Sequence, residues 1–142
     1  MENKIIGYTA GVFDLFHIGH LNLLRRAKAE CDYLIVAVST DELVEEYKNK
    51  TPIICYDERK AIVEAIKYVD EVVPQINRDK MAAWEKYRFN KMFVGDDWKG
   101  NKMFQELEEK FKKNDVEIVY FPYTKGTSST YLREVLDKFN KK

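Results

Sequence analysis

The sequence predicts an α/β fold in which one open parallel sheet carries helices on both of its faces. Short apolar runs alternate with longer amphipathic segments along the whole chain, which is the pattern of repeated strand–helix–strand units. No repeat, low-complexity tract or interdomain linker interrupts this alternation. The 142 residues suit one hydrophobic core, so we expect a single domain over residues 1–142.

Five apolar runs have the length and composition of strands. The run YLIVAV is apolar at nearly every position, as expected of a parallel strand buried on both faces. The third run is closed by Pro74, which we expect to end its strand. The five predicted strands are Lys4–Ala10, Tyr33–Val38, Val69–Val73, Lys91–Val94 and Val116–Phe121.

The segments between and after these runs have helical character. The predicted helices are Ile18–Ala29, Asp57–Lys67, Asp79–Arg88, Asn101–Lys113 and Ser129–Phe139. The stretch Asp41–Tyr56 does not divide clearly into helix and loop, and its residues 48–52 have the composition of an exposed loop. The whole arrangement is Rossmann-like, with a five-stranded sheet that binds ligands beyond the carboxyl ends of its strands.

Composition and charge exclude several classes of protein. Basic and acidic residues balance at 24 each, so bulk charge gives no argument for a nucleic-acid partner. The N-terminus lacks the apolar segment of a signal peptide and no window approaches a membrane span, which predicts a cytoplasmic protein without membrane insertion. Cys31 and Cys55 have no nearby cysteine or histidine partner, which favours two reduced thiols over a metal site.

The two histidines of the chain lie three residues apart, after the first strand and at the start of the first predicted helix. At that spacing His17 and His20 can face one ligand, and Gly11 and Gly19 allow the backbone to approach it. The pair is open to three interpretations: a metal site, ordinary core or surface histidines, and stabilisation of charge on a transferring phosphoryl group. We favour the third, because a helix N-terminus suits phosphate and no further metal ligand is nearby.

A second segment with the character of a phosphate site follows the last strand and opens the last helix. Its hydroxyl side chains are good helix caps and also good phosphate ligands, so a plain N-cap is the competing interpretation. The residues concerned are Thr124, Gly126, Ser128, Ser129 and Thr130.

The segment GVFDLFHIGH resembles the GxFDxxHxGH signature of the cytidylyltransferases, a family within the wider HxGH nucleotidyltransferase superfamily. The resemblance implies transfer of CMP from CTP to a small phosphorylated alcohol with release of pyrophosphate. Glycerol 3-phosphate is the favoured acceptor, because the chain resembles the short bacterial single-domain enzymes; phosphocholine and phosphoethanolamine are alternatives. Mg²⁺ as cofactor and a homodimer are also implied.

The resemblance implies a role for individual residues around this segment. His17 and His20 would contact the triphosphate and stabilise the pentavalent state at the α-phosphorus, and Asp14 would help to shape the acceptor pocket. A capping or turn role is the other interpretation of Asp14.

Three basic residues are similar in position to phosphate-binding residues of the family. Arg59, in the segment YDER, would bind phosphate, and either Lys48 or Lys50 would reach over the substrate phosphates. The implied catalytic residues are therefore His17, His20, Lys48, Lys50 and Arg59, and the implied acceptor-binding residues are Asp14, Lys50 and Arg59.

The segment GDDWKG matches the GxDW segment that lies against the nucleotide in the family. Its two aspartates would bind ribose hydroxyls or a metal-linked water, and no protein metal-ligand set is implied because Mg²⁺ binds mainly to phosphates. The implied nucleotide-binding residues are Ala10, Gly11, Val12, Phe13, Gly19, Gly95, Asp96, Asp97, Trp98, Thr124, Gly126, Ser128, Ser129, Thr130 and Arg133.

The last segment departs from the family motif RTxGIST at two positions. Tyr123 stands where the family has an arginine that contacts the nucleotide phosphates, and Thr127 stands where it has isoleucine. The run SSTYLR is similar to the SSTxxR helix start of the wider superfamily, so we expect Arg133 or Lys125 to supply the missing charge. The same run keeps an adenylyltransferase open as an alternative. A binding module that has lost catalysis and a flavodoxin-like domain are further alternatives, which the histidine pair disfavours.

Overall fold

In the computed structural model, which describes residues 4–122 and 128–140, the described chain forms five parallel strands in one sheet. The strands are β1 (Ile6–Gly11), β2 (Tyr33–Ser39), β3 (Glu71–Gln75), β4 (Lys91–Gly95) and β5 (Glu117–Phe121). Their order across the sheet is β3-β2-β1-β4-β5. This confirms the predicted open parallel sheet.

Six α-helices connect or follow these strands in the described ranges. They are α1 (Ile18–Ala29), α2 (Asp41–Lys48), α3 (Tyr56–Glu64), α4 (Lys80–Tyr87), α5 (Lys102–Lys112) and α6 (Ser129–Asn140). The stretch that the sequence left undivided is thus α2 followed by a loop over residues 49–55, which we call the 49–55 loop. None of these helices is both long and apolar enough to cross a membrane.

The sheet is covered on both faces, as the unbroken apolar run of β2 predicts. Leu34, Val36 and Val38 pack with residues of α1 and α3 in one buried cluster. Ile35 and Ala37, which alternate with them, pack with residues of α5 in another. Successive side chains of a strand point to opposite faces, so β2 contributes to two hydrophobic layers.

A crevice opens where β1 and β4 separate. Residues of β1 pair with β2 from Ile6 to Gly11, but they pair with β4 only at Gly7 and Tyr8. The chain turns to opposite sides of the sheet from these two strands, which makes this position the topological switch point. The carboxyl ends of β1 and β4 therefore bound a natural ligand-binding crevice.

Most predicted element boundaries differ from the structure by one or two residues, and two of the differences have a clear physical reason. Pro74 lies inside β3 rather than beyond it, which is possible because β3 is an edge strand and proline is tolerated there. The third helix ends at Glu64 rather than at Lys67. Beyond it, the backbone N–H of Val69 donates to the carbonyl of Ile66, and this turn packs both side chains against the core.

Candidate active site

Two cavities meet in the crevice at the carboxyl ends of the strands. The larger cavity, of about 360 Å³, lies beside Gly95 and Trp98. The smaller cavity, of about 280 Å³, lies beside Asp14 and Lys50. Both are bounded by the end of β1, the start of α1 and the start of α6. The residues that line both cavities are Ala10, His20, Leu23, Ser129 and Thr130.

The loop between β1 and α1 has an unusual backbone. Phe13 and Leu15 have φ angles of 55° and 51°, in the left-handed region that residues with a Cβ rarely occupy. Gly11 suits this turn, because a Cβ there would lie 3.1 Å from the ring of Phe13, and the ring would have to move slightly to admit it. Asp14 lies between the two left-handed residues and is only 4% exposed. Strained residues of this kind concentrate at functional sites.

The two histidines form a reciprocal cap at the start of α1. The backbone N–H of Gly19 donates to Nδ1 of His17 (3.0 Å), and the backbone N–H of His17 donates to Nδ1 of His20 (3.1 Å). This is the capping-box arrangement with imidazoles in place of the usual hydroxyl and carboxylate. The three-residue spacing that lets both histidines face one ligand thus also lets them cap the N-terminus of α1.

These bonds determine which ring nitrogen carries the proton. Because each Nδ1 accepts a hydrogen bond, each neutral imidazole must be protonated at Nε2, which leaves an N–H donor at the far end of the ring. Burial lowers the pKa of His17. Burial, and then the neighbouring His17, lower the pKa of His20 to about 4, against an opposing effect of Asp14. Near neutral pH both rings are therefore uncharged hydrogen-bond donors.

The smaller cavity collects positive charge. Lys48, Lys50 and Arg133 line it from the end of α2, the 49–55 loop and α6. Burial lowers the pKa of the Lys48 ammonium, and Lys50 and Arg133 lower it further. Mutually repelling cations around a small cavity mark a site for an anion.

Asp14 connects several elements around this cavity. Its carboxylate accepts hydrogen bonds from the backbone N–H groups of Ile53 (2.8 Å) and Ile54 (2.9 Å). Arg133 lies 3.3 Å from the same carboxylate, and the Ser129 hydroxyl donates to the Asp14 carbonyl (2.6 Å). Asp14 thus joins the 49–55 loop and α6 to the end of β1.

The structure corrects the expectation that Arg59 binds phosphate. Its side chain is 1% exposed and lines neither cavity. The guanidinium donates to the carbonyls of Val12 (2.7 Å), Ser39 (2.8 Å) and Ile54 (2.8 Å), and to Asp41 (2.5 Å). Arg59 therefore ties the ends of β1 and β2 to the loop and to α2 from beneath the smaller cavity.

Arg133 lines the smaller cavity with Lys48 and Lys50. Gly95 and Trp98, which were also expected at the nucleotide, line the larger one. Of the other residues expected at the nucleotide, Val12 and Phe13 line only the smaller cavity, and Gly19 and Ser128 line only the larger one. Gly11 also borders the smaller cavity.

The other residues named from the sequence are either exposed or outside the described ranges. Asp96 and Asp97 are exposed and line neither cavity, because the short 3₁₀ turn they open directs Trp98 inward instead. Tyr123, Thr124, Lys125, Gly126 and Thr127 lie outside the described residues. Among residues 4–122 and 128–140, no group of three or more His, Cys, Asp or Glu could hold a metal ion.

Sequence reasoning identified Gly19 but missed the rest of one wall of the larger cavity. Gly19, Asn22, Leu23 and Arg26 lie along one face of α1 and line it together. Their spacing of three, four and seven residues is the helical period, so a projection of α1 from His20 onward could have found them. Phe93, Phe121 and Pro122 give the cavity its apolar side.

The fold is a doubly wound sheet, and its crevice holds one cationic cavity and one largely apolar cavity. The two cavities meet at the imidazoles that begin α1. These features are typical of a nucleotide-binding protein that carries out phosphoryl-group chemistry. The particular family is given by comparison with known proteins. The Cytidylyltransferase-like family model matches residues 8–135, so the chain belongs to that family of nucleotidyltransferases.

The chain is also similar to individual known proteins over most of its length. The chain is 41% identical over 138 residues to the glycerol-3-phosphate cytidylyltransferase of Bacillus subtilis, which covers 92% of this chain and 95% of that one. It is 32% identical to an FAD synthase of Thermococcus sibiricus, over 96% of this chain and 93% of that one. The crystal structure of a lipopolysaccharide core biosynthesis protein from Thermoplasma volcanium superposes with a TM-score of 0.70 at 25% identity, over 88% of this chain and all of that one.

Proposed function

We propose that this protein transfers CMP from CTP to glycerol 3-phosphate, which yields CDP-glycerol and pyrophosphate. The observation that carries the proposal is the pair of unlike cavities that share His20, in a chain 41% identical to a glycerol-3-phosphate cytidylyltransferase. One cavity suits a nucleoside and the other a small phosphorylated compound.

The larger cavity is the proposed nucleotide site. Phe93, Phe121 and Pro122 offer apolar surface for a base and sugar, and Trp98 closes the same side. The N-termini of α1 and α6 present backbone N–H groups, which suits the triphosphate. Arg26 adds a positive charge on the same wall.

The smaller cavity is the proposed acceptor site. Lys48 and Lys50 face a volume of about 280 Å³, which matches a compact phosphate ester better than a nucleotide. Asp14 fixes the loop that carries Lys50 and so keeps the cavity in shape.

The proposed reaction joins the contents of the two cavities. An oxygen of the acceptor phosphate attacks the α-phosphorus of CTP, and the bond from that phosphorus to the bridging oxygen breaks to release pyrophosphate. The attacking oxygen is already an anion near neutral pH, so no general base is needed. The site must align the two oxygens and stabilise the charge that spreads over the phosphoryl group. His17 and His20, which donate from Nε2, are the proposed stabilising groups.

Mg²⁺ is proposed to enter with the nucleotide. The described residues contain no ligand cluster of their own, and the Asp14 carboxylate is already occupied by N–H donors. A site with so few protein ligands fits an ion that stays bound to phosphate oxygens and water. When bound, the ion would neutralise charge on the pyrophosphate leaving group.

The second candidate function is adenylyl transfer. The 32% identity to an FAD synthase over 96% of this chain favours it, together with the SSTYLR helix start. Both candidate reactions release pyrophosphate, but one uses CTP and the other ATP, so the donor nucleotide separates them.

The deciding experiment measures pyrophosphate release over a matrix of donors and acceptors. We expect turnover with CTP and glycerol 3-phosphate, and much weaker turnover when ATP replaces CTP or phosphocholine replaces the acceptor. Comparable efficiency with ATP would favour the second candidate. Absence of release from every pair would refute nucleotidyl transfer.

A homodimer and a cytoplasmic location are also proposed. Tyr131, Leu136 and Phe139 of α6 are each more than 40% exposed, and apolar surface of this kind is common at subunit contacts. Light scattering should give twice the mass of the chain, and a monomer at assay concentrations would contradict it. Two free cysteines suit a reducing compartment, where CTP is also available.

A further inference from the structure

We infer that Arg133 binds the phosphate of the acceptor and is a residue that determines acceptor specificity. This inference rests on the proposed function, because it assumes that the smaller cavity receives the acceptor. It differs from the expectation that Arg133 serves the nucleotide.

The position of Arg133 in the cavity carries the inference. The residue lies one turn into α6, and its side chain, 28% exposed, extends into the smaller cavity with Lys48 and Lys50. It does not line the larger cavity, although Ser129 and Thr130 at the start of the same helix line both. Its charge therefore acts on the contents of the smaller cavity.

Two contacts orient the guanidinium before any ligand binds. One terminal nitrogen donates to the Asp14 carboxylate at 3.3 Å, and the other donates to the carbonyl of Thr51. A guanidinium has five N–H donors, so these two bonds leave further donors for a ligand. The planar fork then matches two oxygens of a phosphate, which a lysine cannot do.

Arg133 is not needed merely to anchor α6, because other contacts already hold the same elements together. Asp14 already holds the 49–55 loop through the N–H groups of Ile53 and Ile54, and the Ser129 hydroxyl already ties α6 to the Asp14 carbonyl. Its charge also lowers the pKa of Lys48 across the cavity, a repulsion that a bound dianion would relieve.

Steady-state kinetics of Arg133→Ala and Arg133→Lys test the inference. We expect Arg133→Ala to raise the KM for glycerol 3-phosphate about 10–100-fold, the range expected for a lost charge-assisted hydrogen bond to phosphate, with the KM for CTP changed less than about twofold. Arg133→Lys should recover part of the loss. A merely structural role would affect both substrates together.

Two matched variants define the specificity of the effect. Lys138→Ala removes a cation from an exposed position of the same helix, and both KM values should stay near wild type. Arg26→Ala removes an arginine from the larger cavity, and we expect the KM for CTP to rise instead. An increase in the KM for CTP with Arg133→Ala, or no change in either KM, would overturn the inference.

A binding measurement separates this inference from the proposed function. Calorimetric titration with inorganic phosphate needs no turnover, and Arg133→Ala should weaken phosphate binding relative to wild type. If wild type shows no CMP transfer yet the variant loses phosphate binding, the proposed function fails and the phosphate site stands. If wild type transfers CMP while phosphate binding and acceptor KM are unaffected by the substitution, the inference fails alone.

Discussion

The two cavities differ in how they achieve selectivity, although they share His20 and the start of α6. The smaller cavity is built from charge: two lysines and an arginine surround a small volume, and a buried aspartate fixes the loop between them. The larger cavity is built from shape: aromatic side chains and proline form one side, and a helix face forms the other. Under the proposed function, this difference would let one crevice accept two very different substrates and bring their reacting groups together at the imidazoles.

The largest expected effect concerns the histidines, because His20 lines both cavities and His17 lines the larger one. We predict that His17→Asn and His20→Gln each lower kcat about 10²–10³-fold, the usual cost of removing one donor that stabilises a developing charge. Asparagine caps a helix well and glutamine completes a capping box, so both variants keep the helix start. Each loses the imidazole Nε2–H, and the amide N–H that it introduces lies on a side chain of different shape.

Stability measurements provide the control for this prediction. Urea unfolding should show that both variants remain within about 0.5 kcal/mol of wild type, whereas His17→Ala also loses the cap, which costs about 1 kcal/mol. Near-normal kcat in either folded variant would remove the imidazoles from the proposed mechanism.

The next effect sharpens the distinction between lining a cavity and supporting it. We predict that Arg59→Ala lowers the free energy of unfolding by about 3 kcal/mol, because three carbonyls and the Asp41 carboxylate lose a buried cationic donor. Urea denaturation measures this change. Lys50→Ala is the matched comparison, since Lys50 is exposed and its loss should change stability by less than about 0.5 kcal/mol while raising the acceptor KM. Equal free energies of unfolding for the two variants would contradict a structural role for Arg59.

The smallest effect tests whether His20 is neutral. Its pKa is about 4 in the folded protein against 6.5 for an ordinary histidine, so the unfolded chain takes up a proton at a higher pH than the folded one. Stability from this residue is therefore complete above pH 6.5 and falls as the pH drops towards 4. We expect a loss of about 1–2 kcal/mol between pH 7.5 and pH 5 that is reduced in His20→Gln. An identical pH dependence in both proteins would mean that folding does not lower the pKa of His20.

Much of the fold could be predicted from the sequence, because local patterns determine it. The bounds Ile18–Ala29 of α1 follow from apolar spacing after a capping segment, and the buried run of β2 predicts a sheet covered on both faces. Pro74 was placed beyond its strand because the sequence does not reveal that β3 is an edge strand.

The site could be predicted less completely, because long-range contacts decide what a charged side chain does. The histidine pair and the lysines reach the crevice as the resemblance implied. Arg59 looks like a phosphate ligand in the sequence, yet carbonyls from residues 5, 20 and 47 positions away occupy its donors. Arg133 faces the smaller cavity because Asp14, 119 residues earlier, orients it.

Chemical-shift mapping tests the assignment of one substrate to each cavity most directly. Trp98 lines the larger cavity, Arg133 lines the smaller one, and Trp84 lies in neither, with its indole N–H donated to the Phe89 carbonyl (3.2 Å) as an internal reference. We predict that CTP shifts the indole N–H of Trp98, that glycerol 3-phosphate added to the free protein shifts the Nε–H of Arg133, and that Trp84 responds to neither. A response of Trp98 to glycerol 3-phosphate equal to its response to CTP, or no response of Arg133 to the acceptor, would contradict the division of the crevice into two substrate sites.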